Sequence, residues 1–140
     1  TASPTGEGTI WTDSTGICLF HFFLSQDVQL DWMNAATGFG ITKDNYASTY
    51  LPRMTTLLRI PLLLSGWTYK DDVNPPRFYE PLPEGPYKGM KVDKTIEQTK
   101  VQAYYKTMGW DSQGVPTADT LKKFGLSAYE NQMAPLRAKT

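Results

Sequence analysis

Asp13-Ser14-Thr15-Gly16-Ile17-Cys18-Leu19-Phe20-His21-Phe22-Phe23-Leu24 is the stretch on which the reading of this chain turns. Its first half brings a carboxylate, a glycine and the sole cysteine close together in sequence. Its second half is apolar on nearly every side, which predicts a helix buried on most faces. Asp13 or Ser14 is the expected cap of that helix, because a short side-chain oxygen can accept from the first backbone N–H groups. Residues 1–12 show no period and read as coil, with Pro4, Gly6 and Gly8 scattered among threonines.

The same logic carries outward along the chain. Ser25 or Asp27 caps a second short helix with Val28, Leu30, Trp32 and Met33 as its apolar residues, and Gly38 is its expected stop. Thr42 opens a third helix. Tyr46, Tyr50, Met54, Leu57 and Leu58 recur at spacings of three and four, which predicts an amphipathic helix. Pro52 and Pro61 should kink or break it, since each lacks an N–H and clashes with the preceding turn. From Trp67 to Met90 the prolines and glycines exclude a regular element. Such a segment is expected to wrap a surface. Thr95-Ile96-Glu97-Gln98 reads as a capping box with Thr95 at the cap, opening a helix that Gly109 ends. Asp111-Ser112-Gln113-Gly114 is a turn. Thr117 leads into a helix over 118–124, stopped by Gly125, and residues 126–140 hold one more helical turn before a frayed tail. No strand pair is visible. The predicted class is all-α, an irregular helical domain with long proline-rich connections.

Composition narrows the function classes. Lys+Arg and Asp+Glu are both 14, so the formal net charge is zero and nothing favours nucleic acid or an anionic membrane as partner. One cysteine excludes an internal disulfide and suits a reducing cytoplasm. The longest apolar runs, 17–24 and 60–64, are too short to span a bilayer. The chain starts Thr1-Ala2-Ser3-Pro4 with no initiator Met, as expected of a cut N-terminus.

Taken singly, the chemical residues have ordinary readings. Cys18 alone among Leu and Phe is a small buried hydrophobe, and one thiolate cannot hold a zinc or iron–sulfur site. Asp13 is a helix cap, and His21 among phenylalanines is a hydrogen-bonded core histidine. Asp71-Asp72 is a solvated turn or a pair of salt bridges, and Lys122-Lys123 a solvated helix face. There is no phosphate-binding glycine loop, nucleophile elbow or His-Glu-x-x-His zinc motif.

The order of the motifs says more. Asp13-x-x-Gly16-Ile17-Cys18-Leu19-Phe20 precedes Leu30-Asp31-Trp32-Met33-Asn34-Ala35-Ala36-Thr37-Gly38. Arg53 and Arg59 follow, then Gly66-Trp67-Thr68-Tyr69-Lys70-Asp71-Asp72, Pro76-Arg77-Phe78 and Glu80-Pro81-Leu82-Pro83-Glu84-Gly85-Pro86. The series closes with Tyr104-Tyr105, Gly109-Trp110-Asp111, Gly114-Val115-Pro116-Thr117, Leu121 and Gly125-Leu126. This ordered set resembles the C-terminal part of the tungsten-dependent aldehyde:ferredoxin oxidoreductase family.

The resemblance implies that residues 1–126 are the C-terminal helical domain of such a protein, lacking the N-terminal domains, and that 127–140 form a C-terminal tail. In that family the matching Asp-x-x-Gly-Leu-Cys motif holds one pterin of a tungsten (or molybdenum) bis-pterin cofactor and supplies the fourth ligand of a [4Fe–4S] cluster. By that match Asp13 accepts hydrogen bonds from pterin N–H groups, Gly16 and Ile17 offer close backbone, and Cys18 binds iron as thiolate. Ile17 stands where the family has Leu. The implied reaction is oxidation of an aldehyde to a carboxylic acid, with electrons passing to ferredoxin or another electron-transfer subunit. The implied partners are the N-terminal domains, that acceptor and a small-molecule substrate. The isolated segment is expected to be inactive.

One stretch departs from the pattern. Where the family shows Asn-x-Arg-Glu-Gly, this chain has Leu62-Leu63-Leu64-Ser65-Gly66. Two further readings follow from that loss of polar groups. One is a divergent member, such as a class II benzoyl-coenzyme A reductase subunit. The other is a non-catalytic helical interaction module.

Overall fold

The computed structural model describes residues 4–18, 20 and 25–138, with side-chain placement from Ile10 onward. The described residues are helical, joined by long turns. Their only strand-like pairing is one antiparallel bridge, Trp110 with Pro116. The all-α class with proline-rich connections is what the structure shows. The chain divides into two compact units, residues 1–59 and 60–140.

In the first unit, α1 spans Pro4–Thr15. The expectations of coil before residue 13 and of a helix starting at Asp13 are both overturned. Gly6, Gly8 and three threonines disfavour a helix intrinsically. Tertiary burial of Trp11 and Thr12 outweighs that preference. Pro4 fits as the first helical residue, where its missing N–H would have no intrahelical partner anyway. Ile17 and Cys18 follow α1 as irregular backbone and Phe20 lies in a turn, so none of the three is helical. Leu19 and residues 21–24, with His21, lie outside the described residues.

Helix α2 (Gln26–Thr37) begins at Ser25, whose hydroxyl accepts from Val28 N–H, and ends at Gly38 with φ 71°. Asn34 then clasps Ile41 twice. Its amide nitrogen donates to the Ile41 carbonyl at 2.8 Å and its oxygen accepts from the Ile41 N–H at 2.6 Å. That pair of hydrogen bonds fixes the return of the chain through Gly38 and Gly40. Thr42 and Asn45 form a reciprocal capping box for α3 (Lys43–Asn45).

A single π-helical stretch, Tyr46–Tyr50, connects α3 to α4 (Leu51–Leu64). Pro52 explains it. Proline has no N–H for the Ser48 carbonyl, and the wider turn, closed by Leu51 N–H to the Tyr46 carbonyl, accommodates that gap. Pro61, by contrast, sits inside α4 without ending it. Trp11, Leu30, Ile41, Tyr46 and Leu51 form the core of this unit, with Ile10, Met33, Tyr50 and Met54 packed on it. Trp11 meets Tyr46 edge to face at 5.0 Å.

In the second unit, the stretch after α4 is irregular except for a 3-10 turn (Pro76–Tyr79), a short element the sequence did not predict, and side chains as well as main-chain bonds hold it. Asp71 accepts from the Thr68 N–H and hydroxyl, both at 2.8 Å, and closes a turn. Asp72 accepts from the Trp67 indole N–H at 2.8 Å and from the Tyr105 hydroxyl. Glu97 accepts from the Asn74 amide and the Tyr79 hydroxyl. The proline-rich segment is thereby pinned to α5 (Lys94–Met108). Asp93, not Thr95, caps α5, accepting from Thr95 and Ile96 N–H, and Gly109 with φ 71° ends it.

Thr117 caps α6 (Ala118–Lys123). After Leu126 come a 3-10 turn (Ser127–Tyr129), α7 (Glu130–Met133) and a second 3-10 turn (Ala134–Leu136). Met133 is fully buried. Arg137 grips Glu130 with both terminal nitrogens, at 2.6 and 2.7 Å, and donates to the Pro116 carbonyl at 2.9 Å. The Ala138 N–H donates to Asp111 at 2.8 Å. No helix among the described residues is long and apolar enough to cross a membrane.

Candidate functional site

The Asp13–Cys18 segment is a helix C-terminus, not the helix start expected from its sequence. Gly16 has φ 72°, in the left-handed region. Ile17 N–H reaches back to the Thr12 carbonyl at 3.2 Å, the long bond of a Schellman turn. The Thr15 hydroxyl adds bonds to the Trp11 and Thr12 carbonyls at 3.0 and 3.3 Å. Glycine is required at position 16 by this turn. A Cβ there would meet nothing within 4 Å, so the constraint is backbone strain and not crowding.

The turn is anchored from beneath. Trp11, one helical turn before Thr15, donates its indole N–H to Gln29 Oε1 at 2.9 Å, with both side chains buried. Trp11 and Gln29 are the positioning residues that sequence reading missed. Trp11 lay in a stretch taken for coil, and only its company with Ile10 hinted at a buried face.

On this anchored turn Asp13 and Cys18 are exposed, Ile17 is half-buried and Gly16 presents bare backbone. Cys18 is therefore not the sealed core residue that its neighbours suggest. A helix C-terminus carries partial negative charge and outward carbonyl oxygens. Together with the Asp13 carboxylate it makes an acceptor-rich surface, suited to a ligand that presents N–H donors. Cys18 follows two residues after Gly16, and an exposed thiol of this kind is able to bind a soft metal. The described residues contain no group of three or more His, Cys, Asp or Glu able to hold a metal ion. Among them Cys18 is the one exposed thiol. Asp71 and Asp72 are engaged in the turn and clasp described above. The Leu62–Ser65 stretch ends α4, with Leu63 buried and Leu62 and Leu64 each about half exposed.

Residues 5–126 match the family described as aldehyde ferredoxin oxidoreductase, domains 2 and 3. The chain is 36% identical over 132 residues to the aliphatic sulfonate oxidoreductase, WOR-like subunit, of Pyrococcus furiosus, covering 91% of this chain and 21% of that protein. It is 35% identical over 124 residues to the tungsten-containing aldehyde ferredoxin oxidoreductase of the same organism, covering 86% of this chain and 20% of that one. The corresponding enzyme of Pyrococcus horikoshii is 35% identical over 120 residues, covering 84% and 19%. The chain thus spans about one fifth of the length of these relatives. By the extent of the family match and the motifs it contains, this chain belongs to the aldehyde ferredoxin oxidoreductase family.

Proposed function

We propose that the chain is the part of a tungsten (or molybdenum) bis-pterin, iron–sulfur oxidoreductase that contributes one pterin contact and one [4Fe–4S] ligand. The observation that carries this reading is the exposed Asp13–Cys18 turn. Asp13 accepts from ring N–H groups, and the helix-end carbonyls reinforce that acceptor character. The left-handed Gly16 leaves the backbone bare, so a flat ring can approach Gly16 and Ile17 closely. Cys18, accessible and held just past the turn, binds iron as thiolate. The bound groups supply two-electron chemistry at the metal and one-electron exit through the cluster, while the protein fixes their placement.

The remaining cluster ligands and the second pterin contact come from polypeptide corresponding to the rest of the relatives' length, the N-terminal domains of the family. Electrons leave to ferredoxin or another electron-transfer subunit. The substrate is a small molecule, read first as an aldehyde oxidised to its acid. A second reading, a different substrate, is favoured by one observation. Leu62 and Leu64 put exposed apolar surface where the family pattern is polar, and a relative covering 91% of this chain is named for aliphatic sulfonates.

Metal analysis and electron paramagnetic resonance of the intact native protein test the proposal. Tungsten or molybdenum with four irons per chain, and a reduced-cluster signal altered by Cys18→Ser, are expected. Absence of both metals, or a signal indifferent to that substitution, would favour a non-catalytic interaction module.

A further inference from the structure

The second unit carries a groove that the Asp13–Cys18 chemistry does not use. Residues 78–82 and 89–92 run alongside one another, tied by three main-chain bonds. Val92 N–H donates to the Phe78 carbonyl at 2.9 Å, Leu82 N–H to the Met90 carbonyl at 3.0 Å, and Gly89 N–H to the Leu82 carbonyl at 2.8 Å. The walls are therefore preformed. Phe78, Leu82, Met90 and Val92 line a cavity of about 410 Å³, with Arg77, Glu80 and Lys91 also lining it. Phe78, Leu82 and Met90 are each about half exposed, which is unusual for three large apolar side chains side by side.

We propose that this groove binds a medium-chain monocarboxylate. The volume falls within the ordinary range for small-molecule sites, roughly 300–1,000 Å³. Apolar walls take the alkyl chain, and Met90 adapts to its shape. The lining charges select the head group. Glu80 is engaged by Arg77, and Lys91 leaves the lining with a net positive charge that complements one carboxylate.

The test follows the ¹³C methyl signal of Met90 in the native protein, assigned with Met90→Leu, during titration with hexanoate, octanoate and 1-octanol. Saturable shifts are expected, with octanoate binding about tenfold tighter than hexanoate, since each buried methylene contributes about three- to fourfold. Octanol should bind at least about fivefold more weakly than octanoate, and Lys91→Glu should weaken octanoate by a similar factor. Lys91 is exposed, so that variant leaves the fold intact. Three results would overturn the proposal. These are no saturable shift, equal affinity for acid and alcohol, or a Met90 methyl already shielded from solvent by covering polypeptide.

Discussion

Trp11 and Gln29 are joined by a buried hydrogen bond of 2.9 Å that ties the last turns of α1 to α2. The bond secures the turn that carries Asp13 and Cys18. Gln29→Ala removes the acceptor and leaves a buried indole N–H, which costs about 1–3 kcal/mol. Urea unfolding should show that loss. The cluster signal of the native protein should broaden in the same variant, because the turn loses its anchor.

Exposed site residues should behave in the opposite way. Asp13→Asn and Cys18→Ser lie on the surface, so each should change the unfolding free energy of the cofactor-free protein by less than about 0.5 kcal/mol. Asp13→Asn should lower pterin content and Cys18→Ser should lower iron content. Denaturation curves beside cofactor analysis check both. A large stability loss with normal cofactor content would show that these residues serve packing instead.

Two glycines with nearly the same backbone angle should respond differently to alanine. At Gly16 the added Cβ meets nothing within 4 Å, so only the left-handed strain of about 1–2 kcal/mol applies. At Gly109 the Cβ would stand 2.2 Å from Thr120 Oγ1, the hydroxyl that donates to the Gly109 carbonyl at 2.7 Å. Gly109→Ala must bear the strain and also displace that hydroxyl. It should be the more destabilising of the two by at least about 1 kcal/mol, measured by chemical denaturation.

The pH dependence of stability should have two identifiable limbs. The Arg137 hydrogen bonds hold the Glu130 carboxyl below its ordinary value. A depressed carboxylate adds stability above its unfolded pKa and loses it as pH falls through the folded one. Glu130→Gln should therefore flatten part of the acid limb. Tyr79 is pushed the other way, chiefly by its hydrogen bond to Glu97. Its contribution is complete below the ordinary tyrosine range and is lost as pH rises through the raised value, so Tyr79→Phe should flatten the alkaline limb. Melting curves across pH check both.

Asp72 is the point where the proline-rich segment is fastened, through Trp67 and Tyr105. Asp72→Ala should leave α5 helical but expose residues 66–92 to limited proteolysis, with new cleavage sites readable by mass spectrometry.

The sequence was most legible where structure is set locally. Ser25, Thr42 and Thr117 cap helices, and Gly38, Gly109 and Gly125 end or follow them in left-handed geometry. These are effects of one or two residues on their own backbone. The capping residue of α5 was misplaced by two positions because Asp93 and Thr95 are both competent caps, and the backbone angles at Asp93 decide between them.

The ordered motifs carried the family, and the helical spacings and caps carried the all-α class. The direction of the Asp13–Cys18 turn was decided only by tertiary structure. By propensity alone, the glycines and threonines before residue 13 resist a helix. Burial of Trp11 against Tyr46 and its bond to Gln29 reverse that, placing Asp13 and Cys18 at a helix end instead of a helix start. Those partners are distant in sequence, so no local pattern could report them.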